Sequence, residues 1–297
     1  MIFYRRGYRI KLCLAAVASL MSLTSPLCKA APIATVGLSG GLEAFWLKEI
    51  DSSGSRLLLE TGRRYVTTAF LDDGGKYDPE ASIHYHLEAS AYWGQVDYDG
   101  KSQSVDPTQS NLPLMSKTDY RGGRAEALLG YRIKPMAGPH GLELIGGLGV
   151  DGWNRTIHNA TASNGTLVSG IEEKYTVYYG KIALGLINLY SSSWHNQLQL
   201  GIKMPFNISE EINLSNVGYD NNLTISPGNT YSAFIKLQLE PPSKNKKTGN
   251  LVINVYYDGF RFDPSRSKTV TRNGSPVQVW QPETHMDILG FQIGYRF

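Results

Sequence analysis

Cysteine is almost missing from this chain of 297 residues: Cys13 and Cys28 are the only two, and both fall within the first thirty positions. The remainder has no means of forming a disulfide, a thiol nucleophile or a cysteine metal site. Long apolar runs are missing too. Beyond residue 30 nothing approaches the roughly 18 consecutive apolar residues that a helical membrane span requires. Charge is sparse, at 19% of residues, below the usual level of about a quarter, which argues against a disordered charged tail. The net charge of +3 is concentrated at the start, where Arg5, Arg6, Arg9, Lys11 and Lys29 stand without an acid. The remaining 24 basic residues face 26 acidic ones, so no basic surface for nucleic acid is expected.

Those first residues read as an export signal. A basic segment precedes an almost unbroken apolar run from Leu12 to Leu23, then a break at Ser25-Pro26, then Cys28-Lys29-Ala30. Small residues at both ends of that tripeptide fit cleavage after Ala30, and the apolar run is too short to span a bilayer. The expected organisation is a signal peptide over 1–30 and one domain over 31–297.

What the domain does contain is alternation with a period of two. Ile83, Tyr85, Leu87, Ala89, Ala91 and Trp93 interleave with Ser82, His84, His86, Glu88, Ser90 and Tyr92. The pattern recurs in ten segments, near 34–49, 57–70, 81–98, 119–134, 141–156, 173–189, 196–211, 229–240, 249–263 and 284–297. Arg63 and Arg64 are adjacent in the second segment, so one must face the unfavoured side or a bulge must intervene. Short turn-rich connections at 134–140, 190–195 and 241–247 alternate with long polar ones at 99–118, 157–172, 212–228 and 264–283. Aromatic residues stand near segment ends, as with Trp46, Trp93, Trp153, Tyr257 and Tyr295. This combination predicts an all-β fold, a transmembrane antiparallel up-and-down β-barrel of about ten strands with interfacial girdles. A soluble sandwich or lipocalin-like barrel would instead use the apolar face as its core.

The last strand weighs against that rival. Leu289, Phe291, Ile293, Tyr295 and Phe297 occupy alternate positions up to the final residue. This resembles the C-terminal strand of bacterial outer-membrane β-barrel proteins. The resemblance implies an outer-membrane location, outer-membrane lipid as surroundings, and Phe291, Ile293, Tyr295 and Phe297 as a signal to the barrel-assembly machinery. The stretches Tyr98-Asp99-Gly100, Ser116 to Tyr120 and Leu129 to Arg132 are also similar to barrels of Gram-negative bacteria.

Ten strands enclose a narrow bore that side chains can fill. The polar face carries Glu43, His84, His86, Glu88, Arg124, Glu126, Asp151, Lys181, Lys203 and Lys236. The expected outcome is a balanced network that plugs the lumen, with pairs such as Arg124 with Glu88. His84, His86 and Glu88 share a face at metal-compatible spacing, yet they are read as members of this network, with no metal and no cofactor expected. Glycines at 146, 147 and 149 lie inside a strand and are read as space for packing.

Ten is also the strand number of the omptin proteases. Asp97 and Asp99 at the end of the third strand look omptin-like, and His285-Met286-Asp287 opens the last strand. The order of that tripeptide is reversed from the omptin Asp-x-His, and it stands on a different strand. Asp-Tyr-Asp-Gly is also ordinary turn chemistry. The favoured role is structural or interactive, through the long loops and an extracellular ligand of unspecified kind. A narrow channel and a rim protease are the alternatives.

Overall fold

The structure, a computed structural model, describes residues 34–73, 83–102, 112–133, 140–188, 194–242 and 249–297. The signal-peptide reading and most of the expected short connections 134–140, 190–195 and 241–247 lie outside the described residues. In chain order the strands are β1 (Thr35–Ile50), β2 (Arg56–Asp72), β3 (Ile83–Lys101), β4 (Pro113–Ile133), β5 (His140–Ile157), β6 (Ala160–Thr161), β7 (Leu167–Val168) and β8 (Glu172–Asn188). They continue as β9 (His195–Ile212), β10 (Leu223–Ile225), β11 (Gly228–Thr230), β12 (Ser232–Glu240), β13 (Asn250–Asp263), β14 (Lys268–Arg272), β15 (Ser275–Val279) and β16 (Glu283–Arg296).

Ten of them form one closed wall, in the order β1, β2, β3, β4, β5, β8, β9, β12, β13, β16. The closure is the antiparallel ladder from Gly37 opposite Arg296 to Ile50 opposite Glu283. Closure removes the exposed strand edges, so every wall strand has a neighbour on both sides. The expected ten segments match these ten strands to within a few residues, except that β3 and β4 run well into the expected loop 99–118.

That extension has a physical cause. Crossing a bilayer takes about 9–11 tilted residues, yet β3 has 19 and β4 has 21. In the half nearer the short turns, outward positions are apolar and exposed, as with Leu129 (62%), Leu148 (63%) and Ile182 (62%). Trp46, Tyr65, Trp93, Tyr178, Phe206 and Tyr231 form an outward aromatic tier at the upper limit of this belt. Beyond it the assignment reverses. Outward positions become Lys48, Arg63, Asp97, Asp119 and Lys174, while Phe45, Leu47, Val96, Tyr120, Phe260 and Met286 turn inward and are buried. The strands thus continue past the lipid belt as a barrel with its own apolar core.

Two of the expectations are decided accordingly. Trp153 does not join the girdle: it faces inward and is 3% exposed. Arg63 and Arg64 need no bulge, because the ladder between β1 and β2 runs unshifted there. Arg64 turns in, and Arg63 turns out above the tyrosine of the aromatic tier, where water is the solvent. On β9 the reversal does use a bulge. Tyr179 stands opposite Pro205 and Tyr178 opposite Asn207, so Phe206 is the extra residue and Ile208 is delivered to the interior.

Leu200 is 45% exposed at mid-belt. Leu200→Arg is expected to destabilise the barrel by about 2–4 kcal/mol, and Gln199→Arg, on the inner face, by less. Urea unfolding in lipid vesicles measures both, and equal costs would remove the lipid-facing assignment.

Candidate functional site

The lumen holds the chemistry, and its side chains form tiers from the short-turn end to the loop end. At the turn end Arg296 donates to Asp72 (2.6 Å) and pairs with Glu240 (2.9 Å). Asp72 also pairs with His86. The second nitrogen of His86 lies 3.2 Å from Glu88, which takes Lys236 at 2.8 Å.

In the next tier Glu126 accepts from Lys181 (2.8 Å) and from the Tyr179 hydroxyl (2.7 Å). Asp258 accepts from Lys203 (2.6 Å) and Arg124 (3.0 Å). Arg124 also reaches Glu43 (3.1 Å), which accepts from Arg64 (2.6 Å) and Tyr256 (2.7 Å). Tyr92 donates to Asp151 at 2.6 Å. The Arg64 guanidinium is also held between the rings of Phe45 (4.4 Å) and Tyr92 (4.3 Å), a favourable cation–π setting for a desolvated charge.

Above this lies the aromatic core. Trp153 stacks on Tyr175 at 4.8 Å, and Phe260 meets Tyr179 and Phe262 at 5.6 Å each. Arg155 sits above it, fully buried among carboxylates: Glu173 at 2.6 Å, Glu60 at 3.0 Å and Glu49 at 3.3 Å. Glu60 is steadied further by Thr118 (2.6 Å) and by Tyr120. Glu210 is buried nearby.

At the loop end the connections fold rather than dangle. Ile212, Leu214, Leu223, Ile225 and Val270 form a second small core, with Ile171, Tyr219 and Val277 packed against it. Arg272 lies over the Tyr219 ring at 5.5 Å, and Lys268 donates to the Thr224 carbonyl at 2.6 Å. Hydrogen bonds from Thr271 and from the Gly274 backbone hold the Asp220 carboxyl below its ordinary range. The loops following β5, β9 and β13 are thereby joined.

All ten residues expected on the inner polar face (Glu43, His84, His86, Glu88, Arg124, Glu126, Asp151, Lys181, Lys203 and Lys236) face inward. The pairing expected of Arg124 with Glu88 does not form. Arg124 stands opposite Ser90, and Glu88 stands opposite Glu126 in the ladder. Like charges in one ladder row repel: Glu88 turns across the bore to Lys236 on β12, and Glu126 reaches over β5 to Lys181 on β8. Glycine assists, as expected of the small residues in β5: a Cβ on Gly149 would lie 2.4 Å from the Tyr179 ring that reaches Glu126.

Sequence reading missed Arg64, Asp258, Arg296 and the whole Arg155 tier. The signal for Arg155 was available, since Trp153, Arg155 and Ile157 continue the inward alternation of β5 beyond the expected belt.

Asp97 and Asp99 face outward, on the wall rather than in a cleft. Asp97 pairs with Lys117, and Asp99 with Arg56 at 2.8 Å. His285 bonds Glu283 at 2.7 Å, and Asp287 bonds Arg261 at 2.5 Å. Asp287 and Asp97 share a register row but are separated by β1 and β2. The structure does not bring these four residues together. Phe291, Ile293 and Tyr295 face outward on β16, and Phe297 ends the chain with its N–H on the Val36 carbonyl at 2.8 Å.

No family model matches the sequence, and no curated protein matches it. Among solved structures, the outer membrane protease OmpT from Escherichia coli superposes with a TM-score of 0.58 at 10% identity, covering 92% of this chain and 100% of that one. The translocator domain of the autotransporter NalP from Neisseria meningitidis gives 0.39 at 10% identity, covering 97% of each chain. The chain carries the closed antiparallel fold of bacterial outer-membrane β-barrels.

Proposed function

We propose that this protein is a plugged barrel of the bacterial outer membrane, inserted by the barrel-assembly machinery. It acts structurally or by surface interaction, presenting its joined loops to an extracellular ligand. The observation that carries this reading is the filled bore. Ion pairs and rings succeed one another from Arg296 to Arg155, and two cavities among the described residues of the bore hold about 30 and about 50 Å³. Such volumes suit a few ordered waters rather than a solute path. The joined loop core gives the far end a fixed shape, which suits recognition better than permeation.

The proteolytic alternative would require Asp97, Asp99 and His285 to face one cleft, and each has its own partner on the outer wall. The channel alternative is the one to test. In planar bilayers the parent protein is expected to give no steady open conductance. Glu88→Ala, which strands Lys236, is expected to lower the temperature at which heat-modified gel mobility is lost, still without a large pore. A high, steady conductance from the parent would replace the plug with a channel.

A further inference from the structure

We propose that His84 is an acid-operated latch at the turn end of the lumen: on taking up a proton it ties Asp73, just beyond β2, to Glu143 on β5. His84 differs from its neighbour. Both nitrogens of His86 are engaged by carboxylates, whereas neither nitrogen of His84 has a hydrogen-bond partner among the described residues, although its side chain is only 9% exposed. Each nitrogen nevertheless faces a carboxylate oxygen: Nδ1 lies 3.7 Å from Asp73 and Nε2 lies 3.8 Å from Glu143.

A neutral imidazole donates from one nitrogen only, and its other nitrogen is an acceptor that a carboxylate repels. Between two carboxylates the neutral ring therefore satisfies one of them at most. The imidazolium donates from both nitrogens, and charge-assisted bonds of that kind close to about 2.8 Å, so each gap has about 1 Å to lose.

Both carboxylates are held in place for that movement. Asp73 accepts the Tyr85 N–H on its other oxygen (3.1 Å), and its own N–H meets the Tyr85 carbonyl (3.3 Å). Glu143 accepts Gln197 on its other oxygen (3.0 Å). Gly130, opposite His84 in the ladder, leaves the path between ring and carboxylate open: a Cβ there would lie 2.0 Å from the Glu143 oxygen that faces the imidazole.

The surrounding charges leave room for one more cation. A cavity of about 50 Å³ adjoins His84 and is lined also by Lys181, Lys236 and Arg132. Lys181 is held by Glu126 and Lys236 by Glu88, each at 2.8 Å. Arg132 stands opposite Glu143 in the ladder, and Asp72 is taken by His86 and Arg296. Asp73 is different: among the described residues no lysine or arginine lies within ion-pair distance of it. Protonated His84 supplies that cation, and the cavity gives the side chains space to close. The gain belongs to the protonated form, so it is present in acid and fades as pH rises.

The test follows the temperature at which heat-modified gel mobility is lost, at pH about 5.5 and about 8, on the full barrel refolded in detergent micelles. The gain in this temperature on going from the higher to the lower pH is expected to be about 5 °C larger in the parent than in His84→Gln. Asp73→Asn and Glu143→Gln each reduce it, and His285→Gln, on the outer wall, leaves it unchanged. Each variant is compared with itself across pH, so a uniform loss of stability drops out of the difference. The ¹⁵N imidazole spectrum of the parent gives a reading that needs no variant to fold: at pH about 5.5 the His84 ring is an imidazolium with both N–H groups hydrogen-bonded. A folded His84→Gln barrel that keeps the parent's pH difference, or a neutral His84 ring at pH about 5.5, overturns the proposal.

Discussion

Replacing Arg155 with Met is expected to destabilise the barrel by about 3–5 kcal/mol, the scale for breaking a buried ion pair on one side. Arg155 is 1% exposed and, among the described residues, is the one cation contacting Glu49, Glu60 and Glu173. Methionine fills similar volume but leaves these carboxylates, and the buried Glu210, without their counter-ion. An uncompensated buried charge costs far more than an exposed one. Adding Glu60→Gln to Arg155→Met is expected to recover part of the loss, since it removes one stranded charge and keeps an acceptor for Thr118 and Tyr120. Guanidinium unfolding followed by gel mobility reads both variants. A loss below about 1 kcal/mol for Arg155→Met would mean that water reaches this tier freely.

Phe260→Ala is the second large effect, at about 3–5 kcal/mol. Phe260 is fully buried, with Tyr179 and Phe262 at 5.6 Å, Trp153 at 6.0 Å and the Lys203 ammonium 3.7 Å from its ring centroid. Truncation leaves a void bounded by a wall that cannot collapse, and it removes the ring face that Lys203 uses. Phe291→Ala is expected to cost much less, because Phe291 is 47% exposed on the lipid belt and acyl chains can occupy the vacated space. Comparable losses at the two positions would contradict an apolar core above the membrane.

The difference between those phenylalanines also separates what was legible in the residues from what was not. Alternation with a period of two, turn chemistry and the terminal aromatic pattern sufficed for an antiparallel barrel, its ten strands and the inward set from His84 to Lys236. These are local properties, since a side chain's face follows from its parity along a strand. Parity does not say which face is wet. Asp287 and Met286, or Arg261 and Phe260, alternate as regularly as Leu200 and Gln199, but with the opposite orientation. Asp97, Asp99, His285 and Asp287, the residues of the rim-protease alternative, stand where the outward face is already aqueous.

The sequence by itself therefore determined the class of fold, the strand count and which residues share a face, because each is written in spacing along one chain. Only the tertiary structure decided where lipid ends and which charges meet. Glu126 finds Lys181 across a glycine-bearing strand, Arg155 collects three glutamates from separate strands, and His84 faces Asp73 and Glu143 with no hydrogen bond among the described residues. Those outcomes depend on the shear and closure of the barrel, which bring residues far apart in sequence to one level of the bore.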